Sequence, residues 1–228
     1  MGEIILGIQE AFLLLISFNK EIYSIILLSL YVSLASTFFS TIIAVPLGTA
    51  LGMRNFKGKK ILIRLIYTFM SLPPVIAGLF VFLVIMRKGP LGYMRLSFTP
   101  AAMIIAQICI VVPIIIGLTY NGVKEKGSTI RDLGKTLGAN NRQTLFLLIN
   151  EMRIIILAAV IAGFGRAVSE VGAVMIVGGN IKGHTRVMTT YIAMLQSMGD
   201  YSKAIAVGIV LLALSFLING VLYNLQQR

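Results

Sequence analysis

Acidic and basic side chains are missing from residues 22–53, 65–86, 96–123 and 204–227 of this chain, and 154–181 holds only Arg166 and Glu170. Each stretch exceeds the roughly 20 residues that a helix needs to cross about 30 Å of hydrocarbon. Within lipid every backbone N–H and C=O must find its partner in its own segment, so an open strand is excluded. The expected fold is therefore all-α, a polytopic membrane bundle of five transmembrane helices. Composition agrees, because only 12% of residues are charged, against roughly 25% in soluble domains. The net charge of +12 would suggest nucleic acid in a soluble protein, but no basic face interleaved with aromatics is present. In so apolar a chain the Lys and Arg excess reads as the basic loops of a membrane protein, so nucleic acid is excluded as a partner. The single cysteine, Cys109, lies in an apolar run. It rules out a disulfide framework and metal-ligand spacing, and is expected to be a small packing residue.

The loops orient the bundle. Arg54, Lys57, Lys59, Lys60 and Arg64 crowd the first connection, and Lys124, Lys126, Arg131, Lys135, Arg142 and Arg153 the third, whereas the N-terminal segment carries Glu3, Glu10 and Glu21. Both basic connections fall on one side of a five-span chain. That side is expected to be cytoplasmic, with the N-terminus external and the C-terminus inside. Arg87, Lys88 and Arg95 sit on the outer side in this arrangement, against the rule. In residues 1–21, Ile4, Ile5, Ile8, Phe12 and Leu15 recur at helical spacing, which predicts an external helix lying along the interface. Residues 22–228 then form one membrane domain. Ser29, Ser33 and Thr37, followed by Gly48 and Gly52, make a small-residue row suited to close helix contact. Pro46, Pro73, Pro74 and Pro113 lie inside spans and are expected to kink them.

Residues 129–146, TIRDLGKTLGANNRQTLF, stand out as a polar insert between apolar spans, overlapping a connection that covers 124–144. Thr129 and Asp132 have capping-box spacing and predict a helix start near Ile130. Ile130, Leu133 and Leu137 would form its apolar face, Gly138 its end, and Asn141 the cap of a second helix. Periodicity alone leaves two readings open: a loop resting on its own bundle or lipid, and a docking element for a partner. No nucleotide site is visible. Residues 52–60, GMRNFKGKK, space their glycines wrongly for a phosphate loop and end in Lys60, where Ser or Thr must ligate Mg²⁺.

Asp132, Leu133, Gly134, Leu137, Gly138 and Ala139 fall where the coupling loop of ABC-transporter permeases reads E-A-A-x-x-L-G-A, with Asp132 for Glu and Gly134 for the second Ala. The Leu-Pro that closes that motif is missing around 149–152. SLPPVIAGL at 71–79 with GPLG at 89–92, and RAVSEVGAVMIVGGNIKGHTR at 166–186, resemble the LPPVVAG…GPLG and R-x-x-GEFGA…GN…G-x-T-R segments of molybdate, tungstate and sulfate permeases. Ser169 stands for Gly and Val171 for Phe. The compact form, without an extra N-terminal span, is most similar to tungstate-uptake permeases. The resemblance implies a type I importer permease, a homodimer in a prokaryotic inner membrane. An ATPase dimer would dock on the coupling residues Thr129, Arg131, Asp132, Leu133, Gly134, Leu137, Gly138 and Ala139. A binding protein would deliver the oxyanion from outside. This chain would hold no cofactor and catalyse nothing alone, ATP and Mg²⁺ being bound by the ATPase subunit.

Arg166 and Glu170 share a helix face in the fourth span. Charges at such depth are costly and face a partner or a cavity. Two readings stand: a mutual ion pair that fastens the bundle or gate, and a cation that meets the passing dianion. With Gly172, Pro73 and Pro74 they are the candidate pathway and gate residues. The alternative function is an ion- or proton-coupled secondary transporter using Arg166 and Glu170, against which stand the coupling loop and the lack of a visible internal repeat. The Gly-rich, basic segment 178–186 is expected outside, with His184 as a solvated loop residue.

Overall fold

The computed structural model describes residues 2–16 and 20–227, so the expected roles of the Glu3, Ile4, Ile5 and Leu15 side chains lie outside the described residues. Every helix or strand element among them is helical: α1 (Gly2–Ile16), α2 (Lys20–Met53), α3 (Lys59–Met70), α4 (Pro74–Ile85), α5 (Pro100–Thr136), α6 (Asn141–Glu151), α7 (Arg153–Val168), α8 (Gly172–Gly178), α9 (Met188–Ser197) and α10 (Tyr201–Gln227), plus a 3₁₀ turn at Gly92–Met94. Three helices are long and apolar enough to cross a membrane singly: α2, α5 and the Tyr201–Asn224 part of α10. Two bent pairs bring the candidate spans to five, α3 with α4 at 100° and α6 with α7 at 69°.

The bends correct the picture of five uninterrupted helices. Residues 65–86 break at 71–73, because Pro73 and Pro74 remove two consecutive backbone donors. Pro74 instead opens α4 at a position whose N–H needs no intrahelical partner. The second bend lies at Met152, so the fourth candidate span is 141–168 rather than the expected 154–181, and 154–181 itself breaks at 169–171, between α7 and α8. Pro46 and Pro113, by contrast, lie inside helices that run on through them.

α2 and α5 form the centre. Ala44, Val45, Val111, Ile115, Ile116 and Val123 share a buried cluster with α6 and α7, and the expected small-residue row is where the backbones close. A β-carbon on Gly48 would meet Thr119 Cβ at 2.8 Å. α1 packs on α10 through Gly7 and Ala11, Gly7 lying against Ile205. Ile8 and Phe12, expected on the apolar face, point outward. Cys109 is also exposed on the outside of α5 and is not a packing residue.

Contacts define the two ends. At one, Arg131 Nη1 donates to Met53 O at 3.4 Å, joining the ends of α2 and α5. At the other, Glu21 pairs with Lys182 at 2.8 Å and Arg186 at 3.7 Å, and Phe98 N donates to Val177 O at 2.9 Å. His184 is exposed in that second loop, as expected.

Candidate functional site

The first candidate region lies inside the bundle, where the two broken segments meet. α4 and α8 approach so closely that a β-carbon on Gly78 would stand 2.5 Å from Ala173 Cα. Only a glycine allows that contact. One on Gly172 would stand 2.8 Å from Val75 Cγ2, next to Pro74. The five pathway candidates therefore converge on one place: Pro73 and Pro74 at the break before α4, and Arg166, Glu170 and Gly172 around the break before α8.

Glu170 organises the second break. Its carboxylate is nearly sealed, with 2% of the side chain exposed, and lies 3.3 Å from Arg166 Nη1, whose side chain is 34% exposed. Oε1 accepts the N–H of Ala173 at 3.0 Å, taking one of the orphan donors that open α8. Oε2 faces Arg166 as an ion pair without hydrogen-bond geometry. The backbone carbonyl of Glu170 accepts from Thr189 Oγ1 at 2.8 Å. Just before the break, Gln107 Nε2 donates to Ala167 O at 2.9 Å, while its Oε1 accepts from Ser36 Oγ at 2.7 Å. Side chains from α5 and α9 thus add hydrogen bonds to the carbonyls at the break, and Ser36 of α2 holds Gln107 in place.

Gln107 and Thr189 were missed in the sequence. Gln107 is the one amide between Pro100 and Tyr120, a signal masked by counting only charges. Arranged this way, Arg166 presents partial positive character to an accessible face while Glu170 behind it cancels most of the charge. The partly exposed guanidinium of Arg166 is thus the accessible side of the pair and the Glu170 carboxylate its buried side.

The second region is the turn between α5 and α6. α5 continues unbroken to Thr136, so the expected capping box at Thr129 and Asp132 is not formed. Thr129, Arg131 and Asp132 lie within one continuous helix. Asp132 instead pairs with Arg131 Nε at 3.2 Å. Within 124–144 only residues 137–140, between α5 and α6, form a turn. There Gly138, at φ +78°, ends the helix as expected. Ala139 N donates to Gly134 O and Gly138 N to Lys135 O, both at 2.9 Å, the bond pair of a Schellman end. The next helix is capped by Asn140, one residue before the expected Asn141. Asn140 Oδ1 accepts from Gln143 N at 2.9 Å and Gln143 Oε1 from Asn140 N at 2.8 Å.

This turn is capped on both sides and apolar at its edge. Gly134 is buried against α6, but Leu133, Leu137 and Phe146 are 60%, 77% and 75% exposed. Ile130, expected on the same face, packs inward against the bundle.

These features belong to a known class. Residues 44–228 match the binding-protein-dependent transport system inner membrane component family, and the chain belongs to that family. It is 51% identical over 222 residues to the tungstate uptake system permease protein TupB of Peptoclostridium acidaminophilum, covering 97% of each chain. A probable anion ABC transporter permease protein of Haloferax volcanii is 38% identical over 210 residues, 90% of each. The tungstate uptake system permease protein TupB of Campylobacter jejuni is 33% identical over 221 residues, 97% of this chain and 92% of that one.

Proposed function

We propose that the chain is the membrane-spanning subunit of an ATP-driven importer for a tetrahedral oxyanion, tungstate before molybdate or sulfate. Two copies form the pathway, and a separate ATPase dimer binds ATP and Mg²⁺. The observation that carries the coupling role is the turn at 137–140, capped on both sides and bordered by bare Leu133, Leu137 and Phe146. An apolar edge held so firmly serves a partner better than it serves water. The oxyanion is supported by 51% identity to a tungstate permease along nearly the whole of both chains.

On this reading the turn faces the cytoplasm, the N-terminus lies outside, and α1 rests in the outer interface. A loaded binding protein delivers the anion near segment 178–186. ATP-driven closure of the ATPase pair moves α5 and α6, and the breaks at 71–73 and 169–171 act as the gate. Arg166 meets the dianion only weakly because Glu170 neutralises it. Weak contact favours passage, and selectivity then rests with the binding protein. Against the ion-coupled carrier alternative, the Glu170 carboxylate is fastened by the Ala173 N–H and by Arg166.

The test is purification of the tagged chain from its native membranes. An ATP-hydrolysing subunit should come with it stoichiometrically, and Gly138→Asp should reduce that recovery about tenfold, equivalent to 1.4 kcal/mol of docking. Asp tolerates left-handed backbone better than most residues, so the variant should still insert. A chain that purifies alone and still moves solute after reconstitution would overturn the proposal.

A further inference from the structure

Away from the two breaks, a cavity of about 420 Å³ opens where the ends of α2, α3 and α5 converge. Lys59, Lys60, Lys124 and Arg131 all line it, and no Asp or Glu does. Asp132, outside the lining, pairs with Arg131, and the three lysines make no ion pair among the described residues.

Like charges gathered from two helices, Lys59 and Lys60 on α3 and Lys124 and Arg131 on α5, repel one another, and a bound anion would relieve that repulsion. Two of the cations are held in place rather than free to swing away. Lys59 Nζ donates to Arg54 O at 2.7 Å and Asn55 Oδ1 at 3.2 Å, and sits 5.6 Å from the centre of the Tyr120 ring. An ammonium has three donors, so one remains for a ligand. Arg131 is tethered through Met53 O. Ser128 adds a hydroxyl to the same wall.

We propose that this pocket is a low-affinity site for a tetrahedral oxyanion group. It lies at the end of the bundle where, on the reading above and resting on it, the cargo leaves. Four basic side chains around a hydroxyl suit a small, multiply charged XO₄ group better than a carboxylate or an organic anion. At about 30 Å³ per water, the cavity holds roughly a dozen waters. The anion therefore keeps much of its hydration and exchanges readily. The same chemistry is carried by the phosphate of an anionic lipid headgroup, the other source that could reach this end.

The experiment uses the full-length chain purified with its ATPase in discs of zwitterionic lipid, with tungstate as probe in a calorimetric titration. Tungstate should bind, sulfate and phosphate should compete, and Lys59→Gln with Lys124→Gln should weaken binding about tenfold. The charge-keeping pair Lys59→Arg with Lys124→Arg should retain it and controls for folding. If free oxyanions fail to bind, but native mass spectrometry finds phosphatidylglycerol retained by wild type and lost in the Gln pair, the site stands with the headgroup as its source. Binding of both probes that is unchanged in the Gln pair, or absent in wild type, overturns the site. ATPase recovery in the same preparation reports separately on the transporter reading, so the two can fail independently.

Discussion

α5 carries Pro113 through its middle without interruption, whereas α7 and α8, which contain no proline, part at 169–171. Proline removes one backbone donor, and packing on both sides of α5 leaves the helix no better alternative than to continue. The α7–α8 break exists because outside groups satisfy what the helix gives up. Glu170 takes the Ala173 N–H, Thr189 serves the Glu170 carbonyl, and Gln107 serves Ala167 O. In a bilayer, then, a helix stops where polar side chains can replace its own hydrogen bonds, and a proline alone does not decide the matter.

Substitutions at four positions sharpen or break that comparison. The largest effect is expected from Glu170→Ala, which strips the cap from α8 and leaves Arg166 unpaired. The loss should be about 3 kcal/mol, the low end for a broken buried pair because Arg166 is partly accessible. Oxyanion uptake should collapse, and Glu170→Gln, which still accepts from Ala173, should recover more folded protein by thermal melting than Ala does. Next is Gly78→Ala, which forces α4 from α8. Overpacking of this kind costs about 1–3 kcal/mol, and uptake should fall with ATPase co-purification intact, since the coupling turn is remote. Gln107→Leu removes two hydrogen bonds and should cost about 1 kcal/mol, at about 0.6 kcal/mol for each intramembrane bond, detectable as a small drop in melting temperature. Pro113→Ala should change stability by less than about 0.5 kcal/mol. A large loss there would mean that α5 depends on its proline after all.

How far the chain could be read from its letters varied by region. The spans were legible because lipid enforces long uncharged runs, and the close α2–α5 contact because Gly48 and Gly52 stand four apart. The turn at 137–140 was nearly so, since Gly138 and an Asn nearby are its natural residues, although the cap fell on Asn140. The Thr129 and Asp132 pair misled, because capping spacing is local and the helix arriving from Pro100 already satisfied those backbone groups. The breaks were half legible. Pro73 and Pro74 announced one, but the other depends on Thr189 and Gln107, partners that only tertiary folding brings to Glu170. The basic cavity was hidden for the same reason. Its cations lie in two connections whose approach to each other the sequence does not show.

The continuity of α5 has a mechanical meaning. Its 37 residues span about 55 Å at 1.5 Å per residue, nearly twice the hydrocarbon thickness of about 30 Å. On the proposed reading, a helix of that length, packed closely against α2 at Gly48 and ending in the capped turn at 137–140, acts as a lever. A push at its coupling end is carried along one helix to the level where Gln107 donates to the last turn of α7.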